Sequence, residues 1–114
     1  MTDDAARSAP FDCGHVVWHD GLFRQSGRPW FVASSEDHPF HGEEYIVAGI
    51  TITGRTGTVE LPDEVWDVGG LPRHSYVAPW FLTTLKHADI DRGVGELADA
   101  TVETILDELT GYFR

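Results

Sequence analysis

The sequence predicts a mainly β domain, folded as a small barrel with one helix packed across it. Short apolar, β-branched segments alternate with turn residues along most of the chain, and helical periodicity occurs only at the C-terminus. The chain has 114 residues, of which 41% are hydrophobic. This length and apolar content are typical of one domain with a modest core.

The strand predictions depend on apolar segments bounded by turn residues. The strongest is residues 45–52, a continuous β-branched run that indicates a central strand. Gly-Arg-Thr-Gly at residues 54–57 has the composition of a hairpin turn, and Gly69-Gly70 indicates a sharp bend. The predicted strands cover residues 14–18, 29–34, 45–52, 58–61, 74–77 and 81–85.

A single amphipathic helix is predicted near the C-terminus. Asp99 is a favourable N-cap residue, and apolar side chains follow it at helical spacing. The stripe comprises Val102, Ile105, Leu106, Leu109 and Phe113. It favours core packing over a surface for a partner.

The N-terminal residues 1–11 are predicted to be a disordered leader, and residues 12–114 the single domain. Met1–Pro10 is polar and lacks the apolar segment of a signal peptide. No apolar run approaches the roughly 18 residues of a membrane helix. Cys13 is the only cysteine, so an internal disulfide is excluded. The expected location is the cytoplasm, without membrane contact.

The formal net charge of -11 is far from neutral for a domain of this size, and Lys86 is the only lysine. A dispersed acidic surface is favoured in a salt-saturated cytoplasm, because the Debye length falls to about 3 Å at 1 M salt. We therefore hypothesise a halophilic archaeal source, the alternative being an ordinary acidic protein. The acidity also counts against routine nucleic-acid binding, in which cations neutralise phosphates.

Two side-chain groups have a weak resemblance to metal sites. One is Cys13 with His15 and His19, and the other is the pair His38 and His41 with Glu43. Neither has the ligand number and spacing of a zinc motif, so no metal is predicted. Cys13 precedes a strand and is better interpreted as a small apolar residue than as a nucleophile.

Seven short motifs follow one another between residues 13 and 113. They are Cys13-Gly-His-Val-Val-Trp18, Gly27-Arg28-Pro29, Ile46-Val-Ala-Gly-Ile-Thr51, Thr58-Val-Glu-Leu61, Ser75-Tyr-Val-Ala78, Leu82-Thr-Thr-Leu85 and Gly95-Glu-Leu97. In this order and spacing the chain resembles the PemK/MazF-like family of toxin–antitoxin endoribonucleases. The resemblance implies an SH3-like barrel, a homodimer, cleavage of single-stranded RNA without a cofactor, and a cognate antitoxin that blocks the groove.

The resemblance also implies the catalytic residues. Arg28 matches the family's catalytic arginine, and Thr51 matches its active-site threonine. Metal-free RNA cleavage needs a proton acceptor, a proton donor and cationic hydrogen bonds to the phosphate, and the arginine fork suits the last role. The alternatives are a solvated strand-end charge for Arg28 and an ordinary strand residue for Thr51.

Histidine is the predicted proton carrier, because its unperturbed pKa near 6.5 suits proton transfer at neutral pH. His19 is the first candidate, followed by His74 and then His15, and a structural role is the alternative for each. Four further residues are predicted to contact RNA, the tryptophans by stacking on bases or by core packing with an exposed edge. They are Trp18, Trp30, Trp80 and Arg24.

Two departures from the family pattern favour a second hypothesis, a barrel without catalysis that binds protein or RNA. Related toxins often carry an acid or an arginine where this chain has Pro79 and Trp80, and the loop over residues 19–27 looks short. A third hypothesis, a structural dimer, depends on the acidity alone. Convergence of Arg28, Thr51 and one histidine on a single pocket would favour the enzyme.

Overall fold

A seven-stranded antiparallel sheet forms a nearly closed barrel in the computed structural model, which describes residues 9–21 and 27–113. The strands are β1 (His15–His19), β2 (Arg28–Val32), β3 (Glu44–Thr51), β4 (Val59–Leu61), β5 (Trp66–Gly69), β6 (Ser75–Lys86) and β7 (Arg92–Leu97). One helix, α1 (Asp99–Gly111), follows them, and two 3-10 turns cover Asp63–Val65 and His87–Asp89. The predicted fold class is confirmed.

The strand order across the sheet is β4-β6-β3-β2-β1-β7-β5. The predicted central strand is confirmed, because β3 pairs with β2 on one side and with β6 on the other. The two segments predicted at 74–77 and 81–85 belong to one long strand, β6. Strands β5 and β7 were not predicted, since Gly69, Gly93 and Gly95 give these segments the composition of turns.

Two apolar clusters form the core, and adjacent residues of each strand contribute to different clusters. Val16 and Phe31 are cross-strand partners in the first cluster, while Val17 and Trp30 are partners in the second. Successive strand side chains point to opposite faces, which explains the alternation. The sheet is therefore apolar on both faces in this region.

Helix α1 begins after Ala98, which is the N-cap residue and makes no side-chain capping bond. The prediction of Asp99 as N-cap is therefore wrong by one residue. Ile105 is fully buried against the first cluster, with Val102 and Leu106 packed partly against it. Phe113 is 68% exposed, so the end of the predicted stripe leaves the core. Within the described residues, no helix has the length and apolar character needed to cross a membrane.

The segment before β1 packs against the barrel through Phe11. The backbone N–H of Phe11 donates to the Tyr45 hydroxyl over 3.1 Å, and the Phe11 ring meets the Tyr45 ring edge-on. Tyr45 is itself fully buried and lies 2.6 Å from His87 Nδ1. Residues 1–8 of the predicted leader lie outside the described residues.

Candidate active site

Strand pairing places two of the predicted catalytic residues opposite each other, and a third lies at the end of the next strand. His19 on β1 is the cross-strand partner of Arg28 on β2. The pairing of β2 with β3 begins at Trp30 and Gly49, and Thr51 lies two residues beyond Gly49 at the end of β3. Directly opposed residues in an antiparallel pair project to the same face. The fold thus brings Arg28 and Thr51, which are 23 positions apart in sequence, to neighbouring strand ends.

Arg28 and Thr51 line one groove of about 460 Å³. The start of β2 and the end of β3 line this groove, and the loop before β6 supplies Leu71, Pro72 and Arg73 on its wall. The groove is mainly apolar, with Arg28 and Arg73 as its two charged residues. Such a surface combines apolar contact area with two fixed positive charges.

The Arg28 guanidinium is supported from below by two aromatic rings. Its Cζ lies 5.3 Å from the centre of the Phe81 ring and 5.7 Å from that of Trp30, which is the geometry of cation–π contacts. No carboxylate of the described residues forms an ion pair with it. Within the described part of the chain, Arg28 is therefore held in place by ring contacts, and no carboxylate there occupies its hydrogen-bonding groups.

A bulge in β6 places Phe81 beneath Arg28. Ala48 is paired with Leu82 and Gly49 with Ala78, so residues 79–81 are extra residues on β6. The Phe81 ring lies directly on Gly49, where any Cβ atom would overlap the ring. The departure from the family pattern at Pro79 and Trp80 thus lies in this bulge. Phe81, the third residue of the bulge, contacts Arg28, the predicted catalytic arginine.

The Thr51 hydroxyl is oriented by the backbone that follows it. Its Oγ1 accepts the N–H of Thr53 over 3.2 Å. Because a hydroxyl can accept one bond and donate another, the Thr51 hydrogen remains available to an acceptor in the groove. The side chain is half-buried at the groove wall. This arrangement suits a donor to a phosphate oxygen.

Trp18 is fixed in the groove wall by contacts on several sides. Its indole N–H donates to Asp20 Oδ1 over 3.1 Å, and the Arg92 guanidinium lies 5.1 Å from the ring centre. Gly27 lies so close that a Cβ there would be 2.7 Å from the indole nitrogen. The predicted RNA contact of Trp18 is therefore limited to the edge that the groove exposes.

The predicted histidines do not line this groove. His19 is opposite Arg28, but its Nδ1 accepts the N–H of Gly21 over 2.9 Å. His74 borders a neighbouring small cavity, and its Nε2 lies 2.7 Å from Glu60 Oε2. His15 lies 3.7 Å from Glu96. The structure therefore joins Arg28 and Thr51 and leaves the predicted histidines at the margin or beyond.

The remaining predicted RNA contacts are dispersed. Trp30 is only 3% exposed and belongs to the core, so its ring is not available for stacking on a base. Trp80 is 41% exposed but contacts Arg55 and Tyr112, away from the groove. Arg24 lies outside the described residues. For Trp30 the predicted alternative, core packing, describes the structure.

The groups considered as metal or nucleophile sites have other contacts. No cluster of three His, Cys, Asp or Glu side chains among the described residues is placed to hold a metal ion. The Cys13 thiol donates to the carbonyl of Ala33 over 3.4 Å. Burial raises the pKa of this thiol, and the nearby Glu103 and Asp12 charges raise it further. A thiol with a raised pKa is a poor nucleophile at neutral pH.

Arg73 is the groove residue that the sequence motifs did not identify. It lies in the loop between β5 and β6, where Leu71 packs against the core and Ser75 is buried. The only signal in the sequence was a cation within Pro72-Arg73-His74, in a chain with 8 Lys and Arg residues and 19 Asp and Glu residues. That signal does not reveal where the loop that carries Arg73 lies in the fold, or which strands end beside it.

The comparisons with known proteins find similarity at the level of structure. No protein-family model matches the sequence, and no curated protein matches it. An endoribonuclease in complex with its cognate antitoxin, from a mycobacterial species, has a TM-score of 0.74 at 18% identity, with 93% of this chain and 95% of that chain covered. This similarity shows the fold.

Two further solved structures share more sequence. The Mycobacterium tuberculosis toxin MazF-mt6 is 28% identical, with a TM-score of 0.63 and coverage of 84% of this chain and 93% of that one. A crystal structure of an Mtb toxin is 30% identical, with a TM-score of 0.56 and coverage of 75% and 90%. With the barrel, the C-terminal helix and the Arg28–Thr51 groove in place, these similarities show that the chain belongs to the MazF-like family.

Proposed function

We propose that this protein is the growth-inhibiting toxin of a type II toxin–antitoxin system, acting in the cytoplasm as a metal-independent endoribonuclease on single-stranded mRNA. The main support is the groove that joins Arg28 and Thr51. Its two arginines have no carboxylate partner among the described residues, although the chain carries a net charge of -11. Unpaired arginines in such an acidic protein favour an anionic substrate at this position.

The proposed reaction is an internal transfer at phosphorus. The 2'-oxygen forms a bond to the adjacent phosphorus, the bond from phosphorus to the 5'-oxygen breaks, and the products carry a 2',3'-cyclic phosphate and a 5'-hydroxyl. Arg28 donates to the phosphate oxygens, which carry growing charge in the transition state, and Thr51 donates a further hydrogen bond. A base removes the proton of the 2'-hydroxyl, and an acid protonates the departing 5'-oxygen.

His19 is the candidate proton carrier in this proposal, because it is the cross-strand partner of Arg28. Its Nδ1 accepts the Gly21 N–H, so the neutral ring carries its hydrogen on Nε2, and Nδ1 must leave Gly21 before it can take up a proton as the base. His74 is the second candidate, but its Nε2 is engaged by Glu60. Substitution of His19 alone therefore tests whether His19 is the proton carrier, and it does not test the role of Arg28.

The proposed partners are single-stranded RNA, an antitoxin and a second copy of the chain. The similar mycobacterial endoribonuclease is in complex with its cognate antitoxin, and the apolar groove with two arginines fits an acidic, partly apolar segment of such a partner. For the homodimer, the support is a set of exposed aromatic side chains in the bulge of β6 and directly after α1. These are Trp80, Phe81, Tyr112 and Phe113.

The proposed setting is the salt-rich cytoplasm of a halophilic archaeon. Its support is the net charge of -11 with a single lysine. High salt would screen the repulsion among the dispersed carboxylates. It would also weaken RNA binding that depends on phosphate contacts, so the groove would have to use apolar contact in addition to charge.

Cleavage of a mixed-sequence single-stranded RNA in EDTA and molar salt tests the proposed function. We expect the wild type to leave 2',3'-cyclic phosphate ends, and Arg28→Ala to lower the cleavage rate on the order of 100-fold or more, because one transition-state donor is lost. Arg55→Ala is the matched control, since Arg55 contacts Trp80 outside the groove. It should cleave like the wild type.

The result against the proposal is equally definite. If folded wild-type protein leaves RNA intact across salt and pH, the chain is not this enzyme. RNA binding without cleavage would then assign it to the binding-module alternative.

A further inference from the structure

Arg73 lies in the same groove as Arg28 but is supplied by a different part of the chain. Arg28 begins β2, whereas Arg73 belongs to the loop that leads into β6. Leu71 and Pro72 of this loop line the groove beside it. The two guanidinium groups are therefore carried by separate elements that meet at one apolar surface.

The loop that carries Arg73 is anchored at both ends. Leu71 packs against the first core cluster, and the Ser75 hydroxyl donates to the carbonyl of Arg73 over 2.8 Å. Ser75 is only 4% exposed. The preceding Pro72 also restricts the backbone. The Cα of Arg73 is thus held at the groove while its side chain stays exposed.

Arg73 has no charged partner within the described part of the chain. The ion pairs there all involve histidine, namely His15–Glu96, His41–Asp12 and His74–Glu60. His74, the next residue, is paired with Glu60, and Asp63 shares a small cavity with Arg73 without pairing with it. An exposed arginine that avoids pairing among so many carboxylates has its donors available for an external anion.

We propose that Arg73 binds a second phosphate of the RNA, distinct from the scissile phosphate held by Arg28. This inference rests on the proposed ribonuclease function. An arginine fork binds phosphate oxygens with two parallel hydrogen bonds, and Leu71 and Pro72 provide apolar contact for the nucleoside between the two phosphates. Arg73 is a substrate-positioning residue, and its contribution is to affinity and to the register of the strand in the groove.

The first test compares Arg73→Ala, Arg73→Lys and the matched control Arg55→Ala. Binding is measured with a single-stranded RNA whose 2'-hydroxyls are methylated, so that it cannot be cleaved. At about 0.1 M salt we expect Arg73→Ala to weaken binding roughly tenfold and Arg73→Lys to restore part of the loss. Steady-state cleavage of unmodified RNA should show a raised KM with nearly unchanged kcat.

The salt dependence distinguishes a phosphate contact from a general loss of affinity. For single strands the slope of log K against log salt changes by about 0.7 for each phosphate neutralised. The slope for Arg73→Ala should therefore be about 0.7 shallower than the wild-type slope, and the slope for Arg55→Ala should equal the wild-type slope. Unfolding midpoints should stay within about 2 °C of the wild type, because both side chains are at the surface.

A methylphosphonate scan locates the contact. Neutral phosphates are introduced one position at a time into the methylated RNA. With the wild-type protein, a methylphosphonate at one position besides the scissile phosphate should weaken RNA binding. With Arg73→Ala, the methylphosphonate at that position alone should no longer lower the affinity. If Arg73→Ala binds and cleaves like the wild type, the second-phosphate site is refuted while the ribonuclease stands. If the wild type neither binds nor cleaves RNA, both proposals are refuted.

Discussion

Thr51 is the residue on which the chemistry can be tested with the smallest change. We expect Thr51→Val to lower the cleavage rate about 10- to 100-fold, because the side-chain shape is kept while the hydroxyl donor is lost. Thr51→Ser keeps the donor and should recover most of the rate in single-turnover assays. A valine variant as fast as the wild type would show that the hydroxyl is not needed, and a serine variant as slow as the valine variant would show that the hydroxyl alone does not account for the rate.

At the same scale, the short sequence motifs selected two residues, Arg28 and Thr51, that the fold brings to one groove. Their catalytic roles stay predictions. Trp30 was misjudged, because it shares a face of β2 with Arg28 but lies two residues further from the strand end, inside the second core cluster and against Phe81. Arg73 was missed, because a loop cation gives no pattern until the loop has a position in space.

At the scale of elements, the sequence predicts β3 well and β7 poorly. From Val47 to Ile50 the strand β3 is buried on both faces, so composition and structure agree there, while Ile46 is exposed. In β7, Gly93 and Gly95 remove side chains, and only the pairing with β1 and β5 makes this segment a strand. Such long-range pairing is not visible in local composition.

Helix α1 packs on the sheet through one fully buried side chain, which makes its packing testable by a single substitution. Ile105 is fully buried at the centre of its apolar stripe. We expect Ile105→Ala to lower the free energy of unfolding by about 2–5 kcal/mol, because it leaves a cavity between the helix and the sheet. Glu103→Ala, an exposed control on the same helix, should change it by less than about 0.5 kcal/mol. Urea unfolding measures both. Equal effects would mean that the helix does not pack as described.

At the scale of the whole molecule, the acidic surface and the two arginines of the groove have opposite effects on RNA binding. A surface with 19 carboxylates repels RNA, while Arg28 and Arg73 attract it at one place. Salt screens both effects, but the repulsion is spread over the surface and the attraction is confined to short contacts. Screening the long-range repulsion first would let RNA reach the groove, so cleavage should depend on salt less steeply than for a basic ribonuclease.

The same charge makes a prediction for stability. We expect the unfolding midpoint at pH 7 to rise by about 5–10 °C between 0.05 and 1 M NaCl, because screening removes on the order of 1–2 kcal/mol of repulsion that the compact state suffers most. Near pH 4.7, where the net charge approaches zero, the same increase in salt should have little effect. Calorimetry at both pH values makes the comparison. A salt response of equal size at the two pH values would show that ion-specific effects, and not carboxylate repulsion, control stability.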